Sequence, residues 1–270
     1  MAWIHFLMSF AFSFGIHAIL MVKCKIRFRQ AVWSGLFAGF LSGLSIFLVE
    51  STRSFSFQFL FGMNLFFVLC FTLVWILFRF YRDPERKIPT QPGVVVSPAD
   101  GRIRYMIKVK NGQFLWSIKK GKAIPLNEIF PLFHWGSRDI MMIGIEMSLF
   151  DVHVNRAPIS GRVVALKKIP GKFLSLRGFD FLKENERVLS IIENEEMKIG
   201  MVQIASHLVR RILFYPKQGH FVQRGERIGM IRFGSQVDVL IPIQKGIRFF
   251  VTSGQYVKAG ETILAKYRLP

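Results

Sequence analysis

Three runs of apolar residues, at 3–22, 31–49 and 57–78, fill most of the first 80 positions. Each is close to the roughly 20 residues that a helix needs to cross the hydrocarbon of a bilayer. The only charges in that stretch are Lys23, Lys25, Arg27, Arg29, Glu50, Arg53 and Arg79. A buried core helix is seldom so long and so free of charge, so two or three transmembrane helices are expected over residues 1–80. The first run has no basic residue before it and a basic cluster after it, the reverse of a cleavable signal peptide, and is expected to be retained.

The loops set an orientation. Lys23, Lys25, Arg27 and Arg29 follow the first run, a nearly neutral link at 50–53 follows the second, and Arg79, Arg82, Arg86 and Lys87 follow the third. The excess of Lys and Arg in cytoplasmic loops puts both basic segments, and the region that follows the third run, on the cytoplasmic side of the cell (inner) membrane. The first 80 residues hold 6 of the 37 basic and 1 of the 17 acidic residues, which leaves residues 81–270 at +15. So large a surplus points to an anionic partner, and beside a membrane anchor that partner is lipid. No arginine-rich tail, zinc spacing or RNA-binding aromatic motif argues for nucleic acid. Cys24 and Cys70 lie in or beside the apolar runs and suggest neither a disulfide framework nor a redox site.

From Pro92 onward short β-branched runs alternate with Gly and Pro, at 94–96, 162–166, 187–193, 200–204 and 237–241, the pattern of a β-rich domain. Residues 206–214 are ambiguous between strand and a helical turn. The segment Phe221-Val-Gln-Arg-Gly-Glu-Arg-Ile228 recurs 35 residues later as Tyr256-Val-Lys-Ala-Gly-Glu-Thr-Ile263. Both copies read as strand, glycine turn, strand. The pattern resembles lipoyl and biotinyl carrier hairpins, but neither copy is followed by a carrier lysine, and structural hairpins are expected.

Chemistry concentrates in three places. A Gly234-Ser235 pair interrupts two apolar strand runs, a position that alone would mark a β-bulge. Asp100 sits in the Pro/Gly turn of Ser97-Pro-Ala-Asp-Gly101, and His153 in the strand-turn unit Phe150-Asp-Val-His-Val-Asn-Arg-Ala-Pro158. Taken separately, Asp100 is a turn former and His153 a core histidine; with Ser235 they make an acid, a base and a nucleophile. His134, His207 and His220 have no metal-binding spacing, and no metal is expected.

The ordered series Tyr81-Arg-Asp-Pro-Glu-Arg86, Ser97-Pro-Ala-Asp-Gly101, Asp151-Val-His-Val-Asn-Arg-Ala-Pro158, Glu184-Asn-Glu-Arg187 and Arg232-Phe-Gly-Ser-Gln-Val-Asp238 resembles the short, membrane-anchored form of phosphatidylserine decarboxylase over residues 78–242. The resemblance implies a transmembrane anchor at 1–80 and a β-rich α+β catalytic domain at 81–270. It also implies a proenzyme that cuts itself between Gly234 and Ser235, into a β chain of residues 1–234 and an α chain of residues 235–270 that stay together as a heterodimer, with a higher oligomer left open. In that chemistry the Ser235 hydroxyl attacks the Gly234 carbonyl, an amide becomes an ester, elimination leaves dehydroalanine, and hydrolysis yields a pyruvoyl group and ammonia. Glycine at 234 suits the distorted peptide such an attack requires. His153 is the implied base, with Asp100 orienting its ring.

The covalent pyruvoyl cofactor would condense with the serine amine of phosphatidylserine and accept the electrons released as carbon dioxide leaves, giving phosphatidylethanolamine. Longer family members carry a second histidine where this chain has Arg156. Arginine cannot serve as a general base near neutral pH, so Arg156, with Asn155, is assigned a contact to lipid phosphate or carboxylate. Two other readings stay open: a decarboxylase of another phosphoserine lipid, of the archaetidylserine type, and a membrane-anchored β-hairpin adaptor without chemistry.

Overall fold

The computed structural model describes residues 2–24, 26–52, 55–110, 113–117, 122–125, 130–131, 138–172, 174–175, 180–205, 211–231 and 235–268. The chain divides into two compact units, Met1–Arg82 with Ser148–Asp151, and Asp83–Met147 with Val152–Pro270.

The first unit holds three helices, α1 (Ala2–Cys24), α2 (Phe28–Thr52) and α3 (Phe57–Tyr81), all long and apolar enough to cross a membrane. Their association is built on small residues. Ala31, Gly35, Ala38, Gly39, Ser42 and Gly43 form the buried stripe of α2. The rings of Phe14, Phe10 and Phe6, at four-residue spacing on α1, lie where the Cβ atoms of Gly35, Gly39 and Gly43 would stand, at 3.2, 2.9 and 2.6 Å. Within hydrocarbon no hydrophobic effect drives helices together, so such close approach and interhelical hydrogen bonds must do it. Asn64 of α3 supplies the bonds: its Oδ1 accepts from Ser9 (2.8 Å) and Ser42 (2.9 Å), and its Nδ2 donates to the His5 carbonyl (2.8 Å). All three helices thus meet at one buried amide.

The second unit is β-rich. Its strands are β1 (Val94–Val96), β2 (Gly101–Val109), β3 (Gln113–Ser117), β4 (Lys122–Pro125), β5 (Ile140–Met147), β6 (Val154–Arg156), β7 (Gly161–Ile169), β8 (Arg187–Glu193), β9 (Lys198–Ala205), β10 (Ile212–Phe214), β11 (Phe221–Val222), β12 (Arg227–Ile231), β13 (Ser235–Pro242), β14 (Arg248–Phe249), β15 (Tyr256–Val257) and β16 (Ile263–Lys266), with one short helix, α4 (Phe181–Glu184). Of the ambiguous segment, residues 212–214 are strand and 206–210 lie outside the described residues. An eight-stranded antiparallel sheet runs in the order β11-β7-β8-β9-β13-β5-β2-β15, beside smaller sheets β1-β16-β14, β10-β12-β6 and β3-β4. Alternation along β13 gives each face its own core. Val237, Val239 and Ile241 join one cluster with Ile103, Ile145 and Met201, while Leu240 joins Tyr105, Met142, Val202 and Phe181 on the other.

The recurring hairpin is structural, and it belongs to a larger duplication. Tyr256 and Val257 pair with Arg102 and Gly101, and Phe221 and Val222 pair with Arg162 and Gly161. Arg102 donates to the Gly254 carbonyl (2.8 Å) and Arg162 to that of Gly219 (2.7 Å). Gly260 N bonds to Ser97 O and Gly225 N to Ala157 O. The two turn glycines have φ of +75° and +80°, and a Cβ on either would strike Ile88, at 2.8 and 2.4 Å. Glycine is required there by conformation and by contact alike.

Candidate functional site

Ser235 is the first residue of β13, its backbone in register with Met147 of β5 and Ala205 of β9. Gly234 and the side chain of Ser235 lie outside the described residues. The last described residue before them, Ile231, ends β12 in a different sheet, and its amide donates to the His153 carbonyl (3.3 Å). The peptide between positions 234 and 235 therefore falls where the chain leaves the β10-β12-β6 sheet and enters the large one. His153 is fully buried and directly precedes β6, which pairs with β12.

Asp100 is 3% exposed. Arg86 donates to both of its oxygens (2.9 and 2.8 Å), and the Ala259 amide donates to Oδ1 (2.7 Å). The turn that carries Asp100 is tied to β6: Arg156 N donates to Pro98 O at 2.9 Å. Asn155, fully buried, accepts from Gln203 (2.8 Å) and donates to Pro98 O (3.4 Å). The guanidinium of Arg156, assigned from sequence to a head-group contact, donates to Gly225 O (2.9 Å), Asp83 (2.9 Å) and Pro84 O (3.2 Å). Arg227 also reaches Asp83, and Glu85 at 2.7 Å. Asp83, Glu85 and Arg86 thus form a latch of ion pairs joining residues far apart in the chain. His220 sits in the turn before β11, and His134 and His207 lie outside the described residues.

Two features near Ser235 lie within the quoted motifs, but the motifs alone assign them no role. Asn185 donates to the carbonyls of Leu174 (2.9 Å) and Ala205 (2.8 Å) and accepts from Leu174 N (2.8 Å), fixing the backbone opposite Ser235. One residue beyond Ser235, Gln236 starts a fully buried polar group. Gln236 Nε2 donates to the Tyr105 hydroxyl (2.7 Å) and to Asp238 Oδ1 (2.6 Å), and Tyr105 donates to Asp238 Oδ2 (2.8 Å). Tyr105 reaches Asp238 across an intervening strand because Gly144 lies between them: both pair with Gly144, and a Cβ there would sit 2.4 Å from the phenol ring. Burial pushes the Asp238 carboxyl up to about 7, against the pull of the Gln236 and Tyr105 hydrogen bonds and of the Arg104 charge. Burial and the Asp238 charge beside it raise the Tyr105 phenol. A lone carboxylate inside the apolar run 237–241 was the available signal.

The structure thus shows a buried histidine beside β6, a strand that begins at Ser235, and a latch that ties Asp100 and Arg156 to the segment Asp83–Arg86. Comparison with known proteins identifies the chain further. A phosphatidylserine decarboxylase family model matches residues 73–265. A provisionally named archaetidylserine decarboxylase proenzyme of Methanothermobacter thermautotrophicus is 39% identical over 209 residues, covering 77% of this chain and 88% of its own. A phosphatidylserine decarboxylase proenzyme of Azorhizobium caulinodans is 40% identical over 188 residues, 70% of this chain and 72% of its own. The chain belongs to the phosphatidylserine decarboxylase family. It is a decarboxylase with three apolar N-terminal helices, which sets the adaptor reading aside.

Proposed function

We propose that this chain cuts itself before Ser235 and then converts phosphatidylserine to phosphatidylethanolamine and carbon dioxide at the cytoplasmic face of the cell membrane. The observation that carries the reading is the strand switch. The Gly234-Ser235 peptide closes a three-residue link between two sheets, and Ile231, the last residue before this link, donates its amide to the His153 carbonyl. A link anchored at both ends can hold a peptide in a geometry that a regular strand would not permit.

In this reading His153 takes the proton of the Ser235 hydroxyl as it attacks the Gly234 carbonyl. Asp100, its charge held in place by Arg86 and the Ala259 amide, stabilises the resulting imidazolium without taking its proton. The residues present suit a group made from Ser235, because that position opens a strand hydrogen-bonded on both sides and begins the 36 residues of 235–270. A pyruvoyl group there would supply the electron sink for decarboxylation. In the same reading His153 returns a proton to the substrate carbon afterwards. We give Arg156 a scaffold role, since its described donors serve Asp83, Pro84 and Gly225. The +15 of residues 81–270 favours an anionic membrane surface, and the basic residues after the first and third apolar runs favour the cytoplasmic face. A second substrate, archaetidylserine, is favoured by the Methanothermobacter relative, since both lipids present the same phosphoserine head group.

Intact mass spectrometry of the purified protein beside Ser235→Ala tests the reading. Wild type is expected to release the fragment 235–270 with a blocked N-terminus, and Ser235→Ala to stay whole. A wild type that remains full length in lipid would refute it, and activity on the two lipids decides the substrate.

A further inference from the structure

In the helical unit the chain runs up, down and up, so the end of α1, the start of α2 and the end of α3 share one end of the bundle. A cavity of about 580 Å³ opens there. Its wall includes Arg27 and Arg29 from the basic turn, Arg79 from the last turn of α3, Gln30, Trp33, Trp75 and two phenylalanines, with no carboxylate among them. The arginines are arranged by the wall itself. With its amide oxygen turned toward them, Gln30 accepts from Arg27 at 2.9 Å and from Arg79 at 3.1 Å. Asp151 stands 3.9 Å from Arg27, and its second oxygen accepts from Ser148 N and Oγ.

We propose that this cavity binds the phosphate of an anionic glycerophospholipid, at a site separate from the residues assigned to decarboxylation. The inference rests on the helices crossing a membrane. Three arginines held round a partly enclosed space repel one another, and an anion among them removes that repulsion. Guanidinium is the cation suited to phosphate, because its planar fork donates two parallel hydrogen bonds. The depth fits as well. The cavity lies within about two turns of the ends of spans Phe28–Thr52 and Phe57–Tyr81, near the level at which lipid phosphates sit and at which tryptophan is enriched. Trp33 is 66% exposed and Phe28 71%, giving the glycerol and first acyl carbons an apolar surface beside the arginines. The volume falls within the range of small-ligand pockets and suits a head group.

The probe is phosphatidylglycerol, which carries the phosphate but no serine amine to react. Full-length Ser235→Ala protein in neutral detergent is offered equal amounts of phosphatidylglycerol and phosphatidylcholine of the same chains, and retained lipid is read by native mass spectrometry. Wild-type arginines are expected to favour phosphatidylglycerol on the order of 100-fold, and Arg27→Gln/Arg79→Gln to reduce that preference to within about threefold. Far-UV circular dichroism checks that the double variant keeps its helices, and the exposed Arg29→Gln, expected to lose about fivefold, gives a second reading that does not depend on the Gln30 bridge. Equal retention of the two lipids by the wild-type arginines, or an unchanged preference in folded variants, would overturn the proposal. Displacement of phosphatidylglycerol by an equal concentration of inorganic phosphate would reassign the cavity to a soluble anion and overturn the lipid assignment. None of these outcomes depends on cleavage or decarboxylation, so the site can fail while the catalytic reading stands, and the reverse.

Discussion

Replacing Asp238 with Asn should remove a pH dependence from the stability of the β-rich unit. The folded carboxyl sits at about 7 against 3.8 in the open chain, so at high pH folding disfavours its ionised form by about 4 kcal/mol, at 1.36 kcal/mol for each tenfold. Between those values the folded state keeps a proton that the unfolded state has released, and stability must fall as pH rises from about 4 to about 7, then level off. From pH 5 to pH 8 the wild-type carboxyl loses about 3 kcal/mol by this route, or roughly 5–10 °C in melting temperature for a unit of this size. Asn fills the same space and carries no charge to desolvate. It weakens the bonds from Tyr105 and Gln236 at a cost of about 1–3 kcal/mol, which is nearly independent of pH. The assay is thermal melting in detergent, on an uncut Ser235→Ala background, at half-unit steps from pH 5 to pH 8. Asp238→Asn should melt below the reference at pH 5 and gain on it steadily toward pH 8. Parallel curves across that range would refute the reasoning, because they would mean that Asp238 stays ionised throughout.

Gly144→Ala must displace the Tyr105 ring and should lower stability by about 1–3 kcal/mol, read as a lower melting temperature in the same assay. Arg86→Met leaves the Asp100 carboxylate buried without its guanidinium and should cost about 3–5 kcal/mol, part of it recovered by adding Asp100→Asn; denaturant titration of the uncut background measures both. In the helical unit, Asn64→Leu removes three interhelical bonds at about 0.6 kcal/mol each, and helix dissociation under increasing SDS should come about 2 kcal/mol sooner. His153→Gln should slow precursor cleavage by about 10²–10⁴-fold, followed by gel mobility over time.

The helices were legible because long uncharged apolar runs have few alternatives, and the described strands include every β run expected from Pro92 onward. What could not be read was pairing at a distance. Asp83, Glu85 and Arg86 looked like a motif and turned out to be a latch whose partners, Arg156, Arg227 and Asp100, belong to three other segments. The repeat at 221 and 256 was visible in the text. Its counterpart, Ala99-Asp-Gly-Arg-Ile103 against Ile159-Ser-Gly-Arg-Val163, shares too few letters to stand out until Gly101 and Gly161 are seen in equivalent pairings. Asp238 was quoted as part of a motif, and its energetic weight depended on Tyr105 and on the gap at Gly144, neither of which a local pattern contains. Ser235 and His153 could be named from sequence, but that Ile231 links to His153 where β12 pairs with β6 is a property of the fold alone.

The place of β13 determines the order in which this protein must be made. Eight of its residues pair with β5 and six with β9, and beyond it β14, β15 and β16 contribute to two different sheets. A segment interleaved in that way cannot be added to a finished partner from outside. If the chain is cut before Ser235 as proposed, the uncut chain must reach its native arrangement first, and scission would then remove the covalent tether that made that arrangement accessible. The mature enzyme would carry a memory of a connection it no longer has: once unfolded, its two pieces would meet as strangers, and its lifetime would be set by how slowly it opens.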